Sequence, residues 1–176
     1  KTGVSIFKLE EKLDTGAILS NQEILIDSNI NKEELTTKLN LIGINLLLKT
    51  LPDYFKNNLS PVNQDNTKAT YAGKISNEMR KINFNDDVIN VYNFIRAFSP
   101  NPAAWFNINN ERIKILKCTM EVCDSSPNTI LNDSFHLGCK GGKIIPKILQ
   151  RAGKKPILIQ DFLRGFDFLV NNKVNA

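Results

Sequence analysis

The chain has 176 residues, 41% of them hydrophobic, and carries 23 Lys+Arg against 18 Asp+Glu, a formal net charge of +5. That length supports one or two small domains. No apolar run approaches the roughly 20 residues of a membrane-spanning helix, and the three cysteines cannot all pair within one chain. Reduced thiols, a cytoplasmic location and no membrane partner are therefore expected. The Lys1-Thr2-Gly3 start lacks the hydrophobic segment and cleavage site of a secretory leader.

Val4 to Leu9 reads as a short strand, since Val, Ile and Phe favour extended backbone. Asp14-Thr15-Gly16 is a turn sequence, and Ile18 to Ile26 reads as a second strand. Asn31 is a candidate helix N-cap with Glu34 three residues on, as in a capping box. Leu35, Leu39, Ile42 and Leu46 form one helical face, and Leu47, Leu48 and Leu51 widen it. This helix is expected to run to about Leu51 and to stop before Pro52. Residues 1–56 bring too few strands for a complete sheet, so part of that apolar face should be uncovered and prone to self-association.

Residues 57–71 are polar and read as a linker. Asp86 or Asp87 should begin a second helix, with Val88, Val91, Tyr92 and Ile95 as its apolar stripe and an end near Ser99-Pro100. Beyond Ala104 the pattern changes to short β-prone runs. Trp105 to Ile108 and Ile113 to Met120 flank Asn109-Asn110 as a hairpin. Thr129 to Leu131, Phe135 to Cys139 and Lys143 to Leu149 continue the series, with Gly141-Gly142 as a tight turn. Five or so such strands predict a small OB-like barrel. Gln160 to Gly165 reads as a closing helix.

Charge is uneven along the chain: residues 1–65 carry net −2 and residues 66–176 net +7. Lys140, Lys143, Lys147, Arg151, Lys154 and Lys155 lie within 16 residues, and no acidic residue falls between Ser134 and Gln160. Such a run fits either a polyanionic partner such as RNA or a solvated surface, and charge alone does not separate the two. Lys74, Arg80 and Lys81 are candidates for the same track. His136, the single histidine, reads as a packed or surface strand residue. Cys118, Cys123, His136 and Cys139 have the spacing C-x4-C-x12-H-x2-C, which matches no recognised zinc pattern, so no metal is expected.

Three stretches together resemble the methionyl-tRNA formyltransferase family. They are Leu13-Asp14-Thr15-Gly16, the run Ile95-Arg96-Ala97-Phe98-Ser99-Pro100-Asn101-Pro102-Ala103-Ala104-Trp105, and Leu149-Gln150-Arg151-Ala152-Gly153-Lys154-Lys155. The resemblance covers essentially the whole chain. Ala17 and Asn83-Phe84 depart from the family, which usually has an acidic residue and Asp-Trp there. The LDTG loop comes late in the family's catalytic domain, so most of that domain is expected upstream of Lys1. The implied fold is an α/β remnant, the end of a Rossmann-like formyltransferase domain (1–56), then the linker (57–71) and an OB-like tRNA-binding domain (72–176).

The implied reaction moves a formyl group from 10-formyltetrahydrofolate to the amino group of methionyl initiator tRNA, without a metal. Asp14 is the implied catalytic carboxylate, acting with an Asn and a His that would lie upstream, in the missing N-terminal part. The isolated chain should then be inactive. Lys140, Lys143, Lys147, Arg151, Lys154, Lys155 and Lys74 are the implied RNA-binding residues. A stand-alone, non-enzymatic RNA-binding OB module is the alternative. Another folate-dependent formyltransferase or hydrolase is disfavoured by the Ala-Gly-Lys-Lys segment.

Overall fold

The computed structural model describes residues 1–175, which divide into two compact units. The first comprises Lys1–Ile30 and Glu34–Lys74, and the second comprises Asn31–Glu33 and the chain from Ile75 onward.

In the first unit, β1 (Thr2–Phe7) pairs antiparallel with β2 (Ile18–Ile24), from Thr2 opposite Ile24 to Phe7 opposite Ile18. Alternate residues of β1 are half-buried, as expected of a strand with one covered face. Val4 packs toward helix α1 (Lys32–Phe55), where a Cβ on Gly43 would stand 3.4 Å from Val4 Cγ1. The hydroxyls of Ser20 on β2 and Thr50 on α1 are 2.7 Å apart, and Thr50 also donates to the Leu46 carbonyl. Leu35, Leu39, Ile42 and Leu46 form the half-buried face predicted from their spacing. A second apolar face of the same helix, with Leu41, Ile44, Leu48 and Phe55, stays exposed.

One expectation is corrected by the helix end. The helix does not stop before Pro52 but continues one turn past it. Proline lacks the N–H that would reach back to Leu48, yet near a helix end that loss is confined to one bond, and Lys56 N–H still bonds the Pro52 carbonyl. The polar stretch 57–71 is more than a spacer. Val62 and Ile18 exchange two backbone hydrogen bonds at 2.8 and 2.9 Å, and the break between units falls after Lys74.

The second unit is built on a five-stranded antiparallel sheet of β3 (Ala104–Ile108), β4 (Glu111–Val122), β5 (Leu137–Cys139), β6 (Gly142–Arg151) and β7 (Ile157–Leu158). The strand path is β3-β4-β6-β5, with β7 also on β6. The β3-β4 hairpin turns at Asn109 and Asn110, both at positive φ, the conformation that a two-residue hairpin turn needs and Asn tolerates. Irregularities between Ile115 and Cys118 bend β4, and the inward parity changes with them, from Ile113 and Ile115 to Cys118 and Met120. The result is a curled sheet, a half-barrel. The run 129–131, expected as a strand, contributes only isolated bridges, Thr129 with Lys173 and Ile130 with Leu137.

Helix α2 (Val88–Phe98) begins at Asp87, whose carboxylate accepts from Ile89 N–H at 2.9 Å. It buries Val88, Val91 and Ile95 against the concave side of the sheet, as its stripe predicts. Helix α3 (Ile159–Gly165) adds Phe162 to the same core. Phe135 lies at the centre, with ring contacts to Phe106, Phe162, Phe166 and Phe168. Gly165 is the last helical residue and not a left-handed cap, since its φ is not positive.

Candidate functional site

Asp14 sits at the tip of an excursion between β1 and β2, exposed and at φ 55°. The excursion is closed at its neck by Lys8 N–H donating to the Ala17 carbonyl at 3.0 Å. Gly16 lies so close to the Lys8 carbonyl oxygen that a Cβ there would overlap it, so only glycine fits. Thr15 Oγ1 donates to the Lys12 carbonyl at 3.1 Å. Gln64, from the polar stretch, donates its side-chain amide to the carbonyls of Asp14 and Gly16, each at 2.8 Å. The loop thus presents a carboxylate to solvent on a backbone tied at several points. A concavity of about 580 Å³ adjoins it, lined by Glu10, Glu11, Lys12, Thr15 and Asn66. Two carboxylates against one ammonium do not suit the anionic tail of a folate, so no folate contact is assigned to this hollow.

The basic run does not form one cluster. Strand β6 is 10 residues long, so its ends stand on the order of 30 Å apart. Lys140 is at one end, where its backbone exchanges hydrogen bonds with Asp86 and Val88. Lys154 and Lys155 are exposed at the other, in a turn opened by Gly153 at φ 68°. Between them, Lys143 and Lys147 point from the convex face of the sheet. Lys143 is 3.0 Å from Glu121, while Lys147 makes no ion pair among the described residues.

Arg151 is committed internally. Its guanidinium meets Glu111 at 2.9 and 2.8 Å, donates to the Gly165 carbonyl at 3.1 Å and lies over the Phe166 ring. Arg80 is likewise engaged, donating to the carbonyls of Pro102 at 2.8 Å and Ala103 at 3.0 Å. It holds the turn that follows α2 beside Trp105, whose ring lies under Arg112 and Lys81 and whose indole N–H bonds the Asn77 carbonyl. Lys74 is exposed at the end of the first unit.

Two lysines outside the basic run of the sequence join the convex face. Lys117 is paired in register with Ile148, next to Lys147, and Lys114 is paired with Gln150. Strand alternation on β4 was the signal for Lys114, but the irregularity that turns Lys117 outward was not visible in the pattern. His136 stands near this face, its Nδ1 3.0 Å from Asn132 Nδ2. Burial, with Lys143 and Lys147 nearby, lowers its pKa, so it adds no charge at neutral pH. Among the described residues no group of three or more His, Cys, Asp or Glu is arranged to hold a metal.

The sheet with its two helices defines the class. Residues 74–167 match the formyl transferase C-terminal domain, and the chain belongs to that formyltransferase family. It is 41% identical to a methionyl-tRNA formyltransferase of Wolbachia sp. subsp. Drosophila simulans, over 94% of this chain and 53% of that protein. It is 32% identical to the enzyme of the same name from Pelagibacter ubique, over 99% of this chain and 56% of that one. The chain spans about half the length of the curated relatives it matches. Among solved structures, an N-formyltransferase from Helicobacter canadensis, in complex with folinic acid and dTDP-3-aminofucose, superposes with a TM-score of 0.61. It shares 25% identity and matches 85% of this chain and 55% of that one. HypX from Aquifex aeolicus superposes with a TM-score of 0.74 at 15% identity, over 93% of this chain and 32% of its own, a likeness of fold.

Proposed function

We propose that the chain acts as the C-terminal half of a methionyl-tRNA formyltransferase, moving a formyl group from 10-formyltetrahydrofolate to the amino group of methionyl initiator tRNA. The observation that carries this reading is the exposed Asp14 on its tied loop, in a chain whose relatives bear that name. The folate supplies the formyl group. Asp14 holds and orients a histidine contributed by the remainder of the enzyme and takes part in moving the proton that the attacking amine releases to N10 of the folate, whose bond to the formyl carbon breaks. The basic half-barrel, read as an OB-type platform, docks the tRNA backbone through Lys114, Lys117, Lys143 and Lys147, with Lys154, Lys155 and Lys140 at its margins, and Lys74, on the first unit, supplies a further cation. These contacts position the substrate without reading its bases. The setting is the cytoplasm.

Two measurements test this. The 176-residue chain alone should show no formyl transfer if its Asn and His partners are supplied from outside it, as the resemblance implies, and robust turnover would refute the assignment. In the complete enzyme, Asp14→Asn should lower kcat by about a hundredfold or more, and an unchanged kcat would remove Asp14 from the site.

The lysine-bearing face supports a second reading, a non-enzymatic RNA-binding module. Charge reversal at Lys117 and Lys147, or at Lys154 and Lys155, should weaken tRNA binding. It should also flatten the salt dependence by about one unit of log–log slope for each phosphate that is no longer neutralised. Tight binding by a protein in which Asp14→Asn has no catalytic consequence would favour the module over the enzyme.

A further inference from the structure

We infer that Gln64 is a positioning residue for Asp14, acting through the backbone of the loop; this rests on the reading of Asp14 as catalytic. The exposed loop has little packing to hold it, since Leu9 and Leu13 are 93% and 89% exposed. Asp14 lies in the left-handed region, which Asp tolerates in turns at a modest cost. The Lys8–Ala17 bond fixes the neck and the Thr15–Lys12 bond fixes the approach. Neither touches the peptide that carries the Asp14 carbonyl.

Gln64 does. The two N–H donors of one planar amide are shared between the carbonyls of Asp14 and Gly16, at 2.8 Å each. That double contact sets the plane of the peptide after Asp14 and with it the direction in which the carboxylate projects. The backbone that carries Gln64 is itself held from both sides. Two residues earlier, Val62 is locked to Ile18 by its pair of backbone bonds. One residue later, the Asp65 carboxylate caps the turn Asn66–Lys68, accepting from Thr67 N–H at 3.0 Å and Thr67 Oγ1 at 2.6 Å. These bonds hold the Asp65 pKa below the usual carboxylate range, so the cap is charged at neutral pH. A segment that reads as a linker therefore delivers one side chain to the candidate catalytic loop.

The chemistry of the amide makes the idea specific. Methionine at position 64 keeps the length and loses both donors. Glutamate keeps the shape and sets a carboxylate against two carbonyl oxygens. Asparagine keeps the donors on a stem one carbon shorter. Formyl transfer by the complete enzyme carrying Gln64→Met, Gln64→Glu or Gln64→Asn would be measured with kcat and KM resolved for both substrates, beside Asp14→Asn and the double variant Asp14→Asn/Gln64→Met. We expect kcat to fall about tenfold in the Met variant and further in the Glu variant, with the Asn variant between Met and the parent. KM for tRNA and the thermal midpoint should stay near those of the parent. The double variant should be no slower than Asp14→Asn alone, since a residue acting through Asp14 has nothing left to position.

An unchanged kcat in the Met and Glu variants, with Asp14→Asn impaired, would overturn the role of Gln64 and leave Asp14 standing. So would a double variant in which the two losses multiply. A normal kcat for Asp14→Asn would instead overturn the underlying reading of the loop.

Discussion

Glu111 and Arg151 form a two-point ion pair across the β4-β6 ladder, with Nε to Oε1 at 2.9 Å and Nη2 to Oε2 at 2.8 Å. The two residues open β4 and close β6, so the pair ties the first residue of one strand to the last of the other. The Arg151 guanidinium, hydrogen-bonded to the Glu111 carboxylate, holds that carboxyl below its ordinary pKa. A carboxylate whose folded pKa is depressed stabilises the fold above its unfolded pKa and loses that contribution as pH falls through the folded value. Glu111→Gln should therefore cost about 1 kcal/mol at pH 7. The difference from the parent should shrink as the pH drops below the usual glutamate range. Urea midpoints of both proteins at neutral and at strongly acidic pH give the comparison, and an equal gap under the two conditions would contradict it.

Phe135 is fully buried at the meeting point of four other aromatic rings. Phe135→Ala should destabilise the second unit by about 3–5 kcal/mol, through the forfeited transfer energy and the cavity left behind. Phe168→Ala, at the half-buried edge of the same cluster, should cost less. Thermal or denaturant melts of the two variants should rank in that order.

Burial raises the thiols of Cys118 and Cys139 to about 12, so neither supplies an appreciable thiolate in mildly alkaline buffer. Brief treatment with iodoacetamide in such a buffer should label the half-exposed Cys123 before Cys118, which is also half-exposed but has a raised thiol pKa, and should leave the buried Cys139, which becomes reactive on unfolding. Peptide mass spectrometry would locate the adducts. Early labelling of Cys139 would show that the core opens on the timescale of the reaction.

The outer face of α1 carries Leu41, Ile44 and Leu48 at 60%, 56% and 64% exposure. An apolar stripe of this kind favours association. Light scattering of the isolated chain should show a mass that rises with concentration, and Leu41→Glu with Leu48→Glu should reduce that rise. A parent chain that is monodisperse at high concentration would count against the expectation.

The helices and the hairpins were legible along the chain because each depends on local pattern. Val88, Val91 and Ile95 repeat at helical spacing behind an Asp87 cap, and Asn109-Asn110 supplies the two positive φ values that a tight turn requires. Pro52 misled because the cost of proline depends on how near the helix end it falls. Thr129, Ile130 and Leu131 misled because β-prone residues form a ladder only if a partner strand runs beside them. The resemblance singled out Asp14 from its LDTG motif, yet nothing local marks Gln64, whose polar neighbourhood suits a linker equally well.

Composition, periodicity and motif by themselves determined the main helices and the longer strands, the basic second half and the membership of Asp14 in a recognisable loop. These properties belong to residues near one another in the chain. Only the tertiary structure decided which charges act together. It spread the lysine run along β6, turned Arg151 inward to Glu111, added Lys114 and Lys117 from the neighbouring strand, and brought Gln64 across 50 residues to the carbonyl of Asp14. The reason is physical: strand register and side-chain hydrogen bonds join positions whose separation in the chain carries no information about their separation in space.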